Sequence, residues 1–151
     1  MTGPVLRPAV AELHVADDPQ LWRALGFSVI DDVARVGAVA VRLLGAGAGT
    51  GIMGWTLRGW DGAPLDGLAT DPATEGPAAS GTHPNTATAV DHVVVATPDR
   101  ARTSAALDAA GLGLRRVRSG VRTPQGTLEQ AFHRAGEVIA WASAGTVGFK
   151  G

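Results

Sequence analysis

Apolar residues along the chain fall into short runs rich in Val, Ile and Leu, separated by turn residues, a pattern of strands with few helices. The clearest run is Val90-Asp91-His92-Val93-Val94-Val95-Ala96, closed by Thr97-Pro98-Asp99, which predicts a buried strand. Asp99 is placed to cap a helix over 100–110, where Ala105, Leu107 and Ala109 suit close packing on a sheet. Gly111 stands where a left-handed residue ends that helix. Strands are then predicted over 114–118, 128–134 and 138–142, joined by turns at Thr123-Pro124-Gln125-Gly126 and Ala135-Gly136. The predicted order is βαβββ.

The first half repeats this order in a less marked form. A strand is predicted over 10–16, and Asp17 or Asp18 caps a short helix over 19–25 that has Pro19 in its first turn and Gly26 after its end. Strands at 27–30, 38–44 and 52–57 complete the unit. Two copies of one unit predict a pseudo-symmetric sheet, because a single copy cannot bury its own apolar face. Between the copies, residues 61–88 hold Pro64, Pro72, Pro77 and Pro84, with only Leu65 and Leu68 as larger aliphatics, and predict a linker or long surface loop. The expected division is a first module over 1–60, a linker over 61–88, a second module over 89–144 and a tail over 145–151.

Composition narrows the function classes. The 151 residues suit one ordinary domain or two very small ones. With 45% hydrophobic residues, 18% charged residues and a net charge of -1, general disorder and a broad nucleic-acid or membrane-surface field are disfavoured. Charge is unevenly spread: residues 1–87 carry five Arg and nine acids, whereas 88–151 carry eight Lys or Arg and five acids. The absence of cysteine excludes disulfide frameworks, thiol catalysis and zinc ribbons, so any metal must sit on His, Asp or Glu. The opening Met1 to Pro8 has no apolar signal core, and Arg42 and Arg58 interrupt the best apolar stretches. A cytoplasmic protein with no membrane partner is the expectation.

The passage from Val90 to Asp99, the helix after it, Leu114-Arg115-Arg116-Val117-Arg118 and Gln130-Ala131-Phe132-His133-Arg134-Ala135-Gly136-Glu137-Val138-Ile139 together resemble the glyoxalase-like, or vicinal oxygen chelate, superfamily. Glu12-Leu13-His14-Val15-Ala16-Asp17-Asp18 resembles the start of a first such module. The resemblance implies an α+β fold of paired βαβββ modules, forming a curved mixed sheet around a concave cavity. It also implies a divalent metal on the inner face, held by a His near the start of a module's first strand and a Glu on its last strand. His92 stands at that His position, but the Glu position falls on Trp141, whose indole nitrogen is a donor and cannot coordinate a hard cation. Glu137 shares parity with Trp141 but sits at the hairpin edge. Only six residues follow Gly145, too few for another unit, so the partner module comes from the first half or from a second chain in a homodimer, or the chain is a shortened member.

Four histidines are available: His14, His83, His92 and His133. Glu12 and His14 are two residues apart and project from one strand face. With His92 they form a candidate two-His, one-carboxylate set for Fe, Mn, Ni or Zn, which would polarise a carbonyl or enediolate oxygen. A lone hydrogen-bonded histidine is the competing account of His92. His83, in the loop, is expected to be solvated, and His133, facing away from Phe132, to be structural or exposed. Trp141 and Phe132 are the candidate substrate-pocket residues, with core packing as the alternative.

Gly49 to Gly54 is a formal GxGxxG, but no helix-forming chain follows before Pro64, and a flexible hairpin is the better reading. Arg116 and Arg118, from the cluster Arg115, Arg116, Arg118 and Arg122, share a strand face suited to a carboxylate or phosphate, or else form a solvated surface. The functional expectation is a metal-dependent lyase or dioxygenase-type enzyme acting on a small oxygenated organic compound. The alternatives are a metal-free, drug-sequestering binding protein and an inactive truncated member.

Overall fold

The computed structural model describes residues 7–74, 79–124 and 126–145, with no side-chain description for 144 and 145. Gln125 of the expected turn and residues 146–151 of the expected tail lie outside them. The chain is mixed α+β, strand-rich, with two mixed sheets and few helices. It divides into two compact units: one comprises Val10–Gly59 and Leu68–Val90, the other takes in Trp60–Gly67 and the chain from Asp91 onward.

The C-terminal unit contains β6 (His92–Ala96), α2 (Arg100–Ala109), β7 (Leu114–Thr123), β8 (Gly126–Ala135) and β9 (Val138–Gly145), in spatial order β6-β9-β8-β7. β6 runs parallel to β9, and β9-β8 and β8-β7 are antiparallel hairpin neighbours. Asp99 caps α2 by accepting from the Arg102 N–H at 3.0 Å, and Gly111 follows the helix at φ +95°. A Cβ at Gly111 would lie 2.9 Å from Pro8 Cδ, so conformation and space both demand glycine there.

His133 locates the helix-covered face, because its Nε2 is 2.8 Å from Ser104 Oγ on α2. Register places Ala140 opposite His133, Val93 opposite Ala140, and Ala142 opposite Ala131. All are buried, together with Leu107 and Leu112. The run of alanines lets α2 lie close to the sheet, while each fully buried leucine contributes about 1.5–3 kcal/mol of apolar transfer.

The N-terminal unit contains β1 (Ala9–Val15), α1 (Pro19–Ala24), β2 (Val33–Val36), β3 (Val39–Leu43), β4 (Ile52–Arg58) and β5 (Thr70–Pro72), in the order β2-β3-β1-β4-β5. Asp18, rather than Asp17, caps α1 by accepting from the Gln20 N–H at 2.8 Å, while Asp17 accepts from the Trp22 indole N–H at 2.9 Å. Leu13, Val15, Val41, Leu43, Ala34, Trp55 and Leu57 form its buried face.

Three local expectations change here. The strand predicted over 27–30 is reduced to a single bridge between Ile30 and Val33, because Asp31 and Asp32 both adopt positive φ and turn the chain sharply. An additional strand, β2, follows that turn. The glycine run is not a hairpin: β3 and β4 lie on opposite sides of β1, so residues 44–51 cross over the end of β1 through a short 3-10 turn at Ala46–Ala48. Finally, the 61–88 segment is shared between the two units and supplies β5, which pairs with β4 in parallel.

Candidate functional site

Each sheet has a face turned away from its buried one, and the candidate residues gather on these two faces. In the C-terminal unit, His92, Val94 and Ala96 alternate with helix-facing Val93 and therefore lie opposite α2. Trp141 registers with Val94 and Phe132, and Phe132 registers with Arg116. The result is a row of side chains across all four strands. His92 stacks on Trp141 with ring centroids 4.6 Å apart and planes 11° from parallel. Trp141 meets Phe132 nearly edge to face, with centroids 4.8 Å apart and an angle of 80°. The Arg116 guanidinium carbon lies 5.8 Å from the Phe132 centroid. A cavity of about 340 Å³ adjoins the row, lined by Phe132, Arg134, Ile139, Arg115 and His133.

The resemblance singles out His92 and Trp141, and Phe132 is a candidate pocket residue; these three do come together. His133 lies on the opposite, helix-covered side: its Nδ1 is 2.7 Å from the Leu112 carbonyl and therefore donates, leaving Nε2 to accept from the Ser104 hydroxyl. It is a fully buried structural histidine.

His92 by itself has the form of a ligand. Its Nδ1 is 2.9 Å from Asp91 Oδ2, the arrangement that orients imidazoles in metal centres. The surrounding donors do not complete a site. Trp141 covers one ring face, and no group of three or more His, Asp or Glu side chains is placed to hold a metal among the described residues.

Glu12 and His14 lie on the polar face of the N-terminal unit, opposite buried Leu13 and Val15. Glu12 Oε1 accepts from Arg42 Nε at 2.5 Å and lies 3.3 Å from His14 Nε2, which is itself 3.2 Å from Thr56 Oγ1. Glu12 is thus already committed to a guanidinium, the opposite of what a metal-ligating carboxylate requires. The donor set in either unit does not fit the facial metal centre expected from sequence.

The same polar face holds a cavity of about 300 Å³ lined by Arg35, Arg42 and Arg58 with Glu12 and Thr56. A second cavity, of about 440 Å³, shares Arg35 and Arg42 and includes Asp31. Sequence reasoning missed this group. Strand alternation places Arg42 two residues from Ala40 and Arg58 two from Thr56 on the polar face, but nothing in the chain reveals that three separate strands bring them together.

His83 also departs from expectation. It is 5% exposed rather than solvated. Its Nδ1 accepts the Ser28 N–H at 2.9 Å, so the ring proton is on Nε2, which donates to the Arg35 carbonyl at 2.8 Å. It ties the loop to β2.

In the C-terminal unit, Asp66 accepts from Arg102 Nε at 2.8 Å and from the Thr103 hydroxyl. These bonds, the Thr103 bond first and the Arg102 bond second, hold the Asp66 carboxyl below the usual aspartate range, and Arg102 is raised in turn by its bond to Asp66.

No protein-family model matches the chain, and no curated protein matches it. Among the described residues no helix is long and apolar enough to cross a membrane.

Proposed function

We propose that this chain is a glyoxalase-like superfamily protein built from βαβββ modules, and that it acts as a metal-free binding protein for a small planar organic ligand. The order β6-β9-β8-β7, with β6 parallel to β9, supports such a module in the C-terminal unit. The N-terminal unit offers a counterpart. Glu12 registers with Ala40 as His92 does with Ile139, and Ala40 and Ile139 each stand three residues after a positive-φ turn glycine, Gly37 and Gly136. Arg42 and Trp141 then correspond as well. At both places the two corresponding side chains contact each other, Glu12 with Arg42 and His92 with Trp141.

The observation that carries the binding reading is the row His92–Trp141–Phe132 on the helix-free face. Partly exposed rings held in fixed mutual orientation offer a planar ligand stacking area at little entropic cost. Arg116 at the end of the row adds cation–π affinity.

The test is titration of tryptophan fluorescence with 2-naphthol in wild-type protein and in Trp141→Leu, with elemental analysis of protein purified without chelators. Saturable quenching in the wild type that disappears in Trp141→Leu, with no stoichiometric metal, is expected. Stoichiometric Fe, Mn, Ni or Zn that is lost in His92→Ala would instead favour the lyase or dioxygenase reading and overturn this one.

A further inference from the structure

We infer that the N-terminal unit carries a second, independent binding site, an oxyanion pocket formed by Arg35, Arg42 and Arg58 that takes a small carboxylate or phosphate group. The three arginines come from β2, β3 and β4 and line one cavity of about 300 Å³, the lower end of the range typical of small-molecule pockets. Among the described residues Glu12 is the one carboxylate lining it, and Glu12 is bound to Arg42. Asp71, which registers with Thr56, is exposed and is not part of the lining.

Among the described residues the charge count therefore leaves two guanidiniums without a carboxylate partner. Among the described residues neither Arg35 nor Arg58 has a carboxylate within 4.0 Å. The Arg58 Nε is buried and has no hydrogen-bond acceptor. A buried guanidinium donor without an acceptor is costly, and an oxyanion entering the cavity would supply the missing acceptor. Guanidinium forks match the geometry of carboxylate and phosphate oxygens, which makes these groups the chemical class rather than a halide or a neutral polar molecule. Thr56 adds a hydroxyl to the lining; its Oγ1 is also 3.2 Å from His14 Nε2.

This inference does not rest on the aromatic row, and its experiment uses different probes. Isothermal titration of the full chain with inorganic phosphate and with succinate, at constant ionic strength set by chloride, reads the site directly. Saturable binding of at least one probe with Kd of roughly millimolar or tighter is expected. Arg58→Gln and Arg35→Gln should each weaken it at least about tenfold, since each removes a charge-assisted bond. Glu12→Gln should strengthen it several-fold by releasing Arg42, an effect that a purely structural role for Glu12 would not produce. Circular dichroism establishes that each variant folds. Phosphate binding alone points to a phosphate ester as the natural ligand, and succinate binding alone to a carboxylate; both support the site. No saturable binding of either probe, or equal binding in wild type and Arg58→Gln, would overturn it.

Discussion

The imidazole of His92 lies nearly parallel to the indole of Trp141, 4.6 Å from it, and the two side chains project from parallel neighbouring strands. A side chain recruited to a metal would need its partner position to supply an anion. Here the partner supplies a ring, and the contact is worth about 0.5–1.5 kcal/mol beyond burial. His92→Ala is therefore expected to lower stability by about that amount in urea unfolding, and to leave any trace metal content of the purified protein unchanged. Trp141→Ala also removes the edge-to-face contact with Phe132 and is expected to cost more, about 2–4 kcal/mol.

Ser104 and His133 predict a different response. They join α2 to β8 through a buried chain that ends at the Leu112 carbonyl. Ser104→Ala leaves the His133 Nε2 buried without a partner and should cost about 1–3 kcal/mol. His133→Leu removes both bonds and strands the Ser104 hydroxyl and the Leu112 carbonyl, so it should cost at least as much. Chemical denaturation of both variants measures this, and a loss below about 0.5 kcal/mol in Ser104→Ala would show that water replaces the bond.

Much of the C-terminal unit was legible because its signals are local. The Asp99 cap, Gly111 after the helix and the Gly136 turn each act within a few residues and lie where the sequence placed them; β6 also forms where expected, but as an edge strand with one exposed face rather than a buried strand, because only β9 pairs with it. The resemblance draws attention to His92 and Trp141, which together with the pocket candidate Phe132 lie in one row. The N-terminal unit was less legible because its decisive features are not local. Asp31 and Asp32 at positive φ replace a predicted strand by a tight turn, which weak propensities do not announce. The crossover of residues 44–51 depends on which strand β4 joins, a choice made by tertiary packing. The burial of His83 arises from contacts 48 and 55 residues away, and the three arginines converge only through strand register.

His83 provides a test of that long-range tie. His83→Ala leaves the Ser28 N–H and the Arg35 carbonyl without their partners, and is expected to destabilise the N-terminal unit by about 2–4 kcal/mol. Hydrogen exchange should show the loss at Ser28 first, since its amide is the donor released.

Asp66 gives the pH-dependent prediction. Its carboxylate accepts from Thr103 and Arg102, which stabilises the charged form and lowers its folded-state pKa below the ordinary aspartate value of about 3.9. Because the unfolded chain binds the proton more readily, linkage fixes the sign: the contribution is complete above the unfolded pKa and is lost as pH falls through the lower folded value. Urea midpoints should thus be insensitive to this group from neutral pH down to about pH 5, then fall on acidification below about pH 4. Asp66→Asn keeps the shape but removes the charge, so the variant should be less stable than wild type at pH 7, with the gap closing at low pH. Equal acid slopes in the two proteins would mean that the carboxylate is not held by Thr103 and Arg102 in solution. Added salt should weaken the Arg102 contribution more than the Thr103 one, because only the former is an ion pair. Comparison of Arg102→Gln with Thr103→Val then separates the two, and each is expected to flatten the acid limb, because each removes a bond that lowers the Asp66 carboxyl.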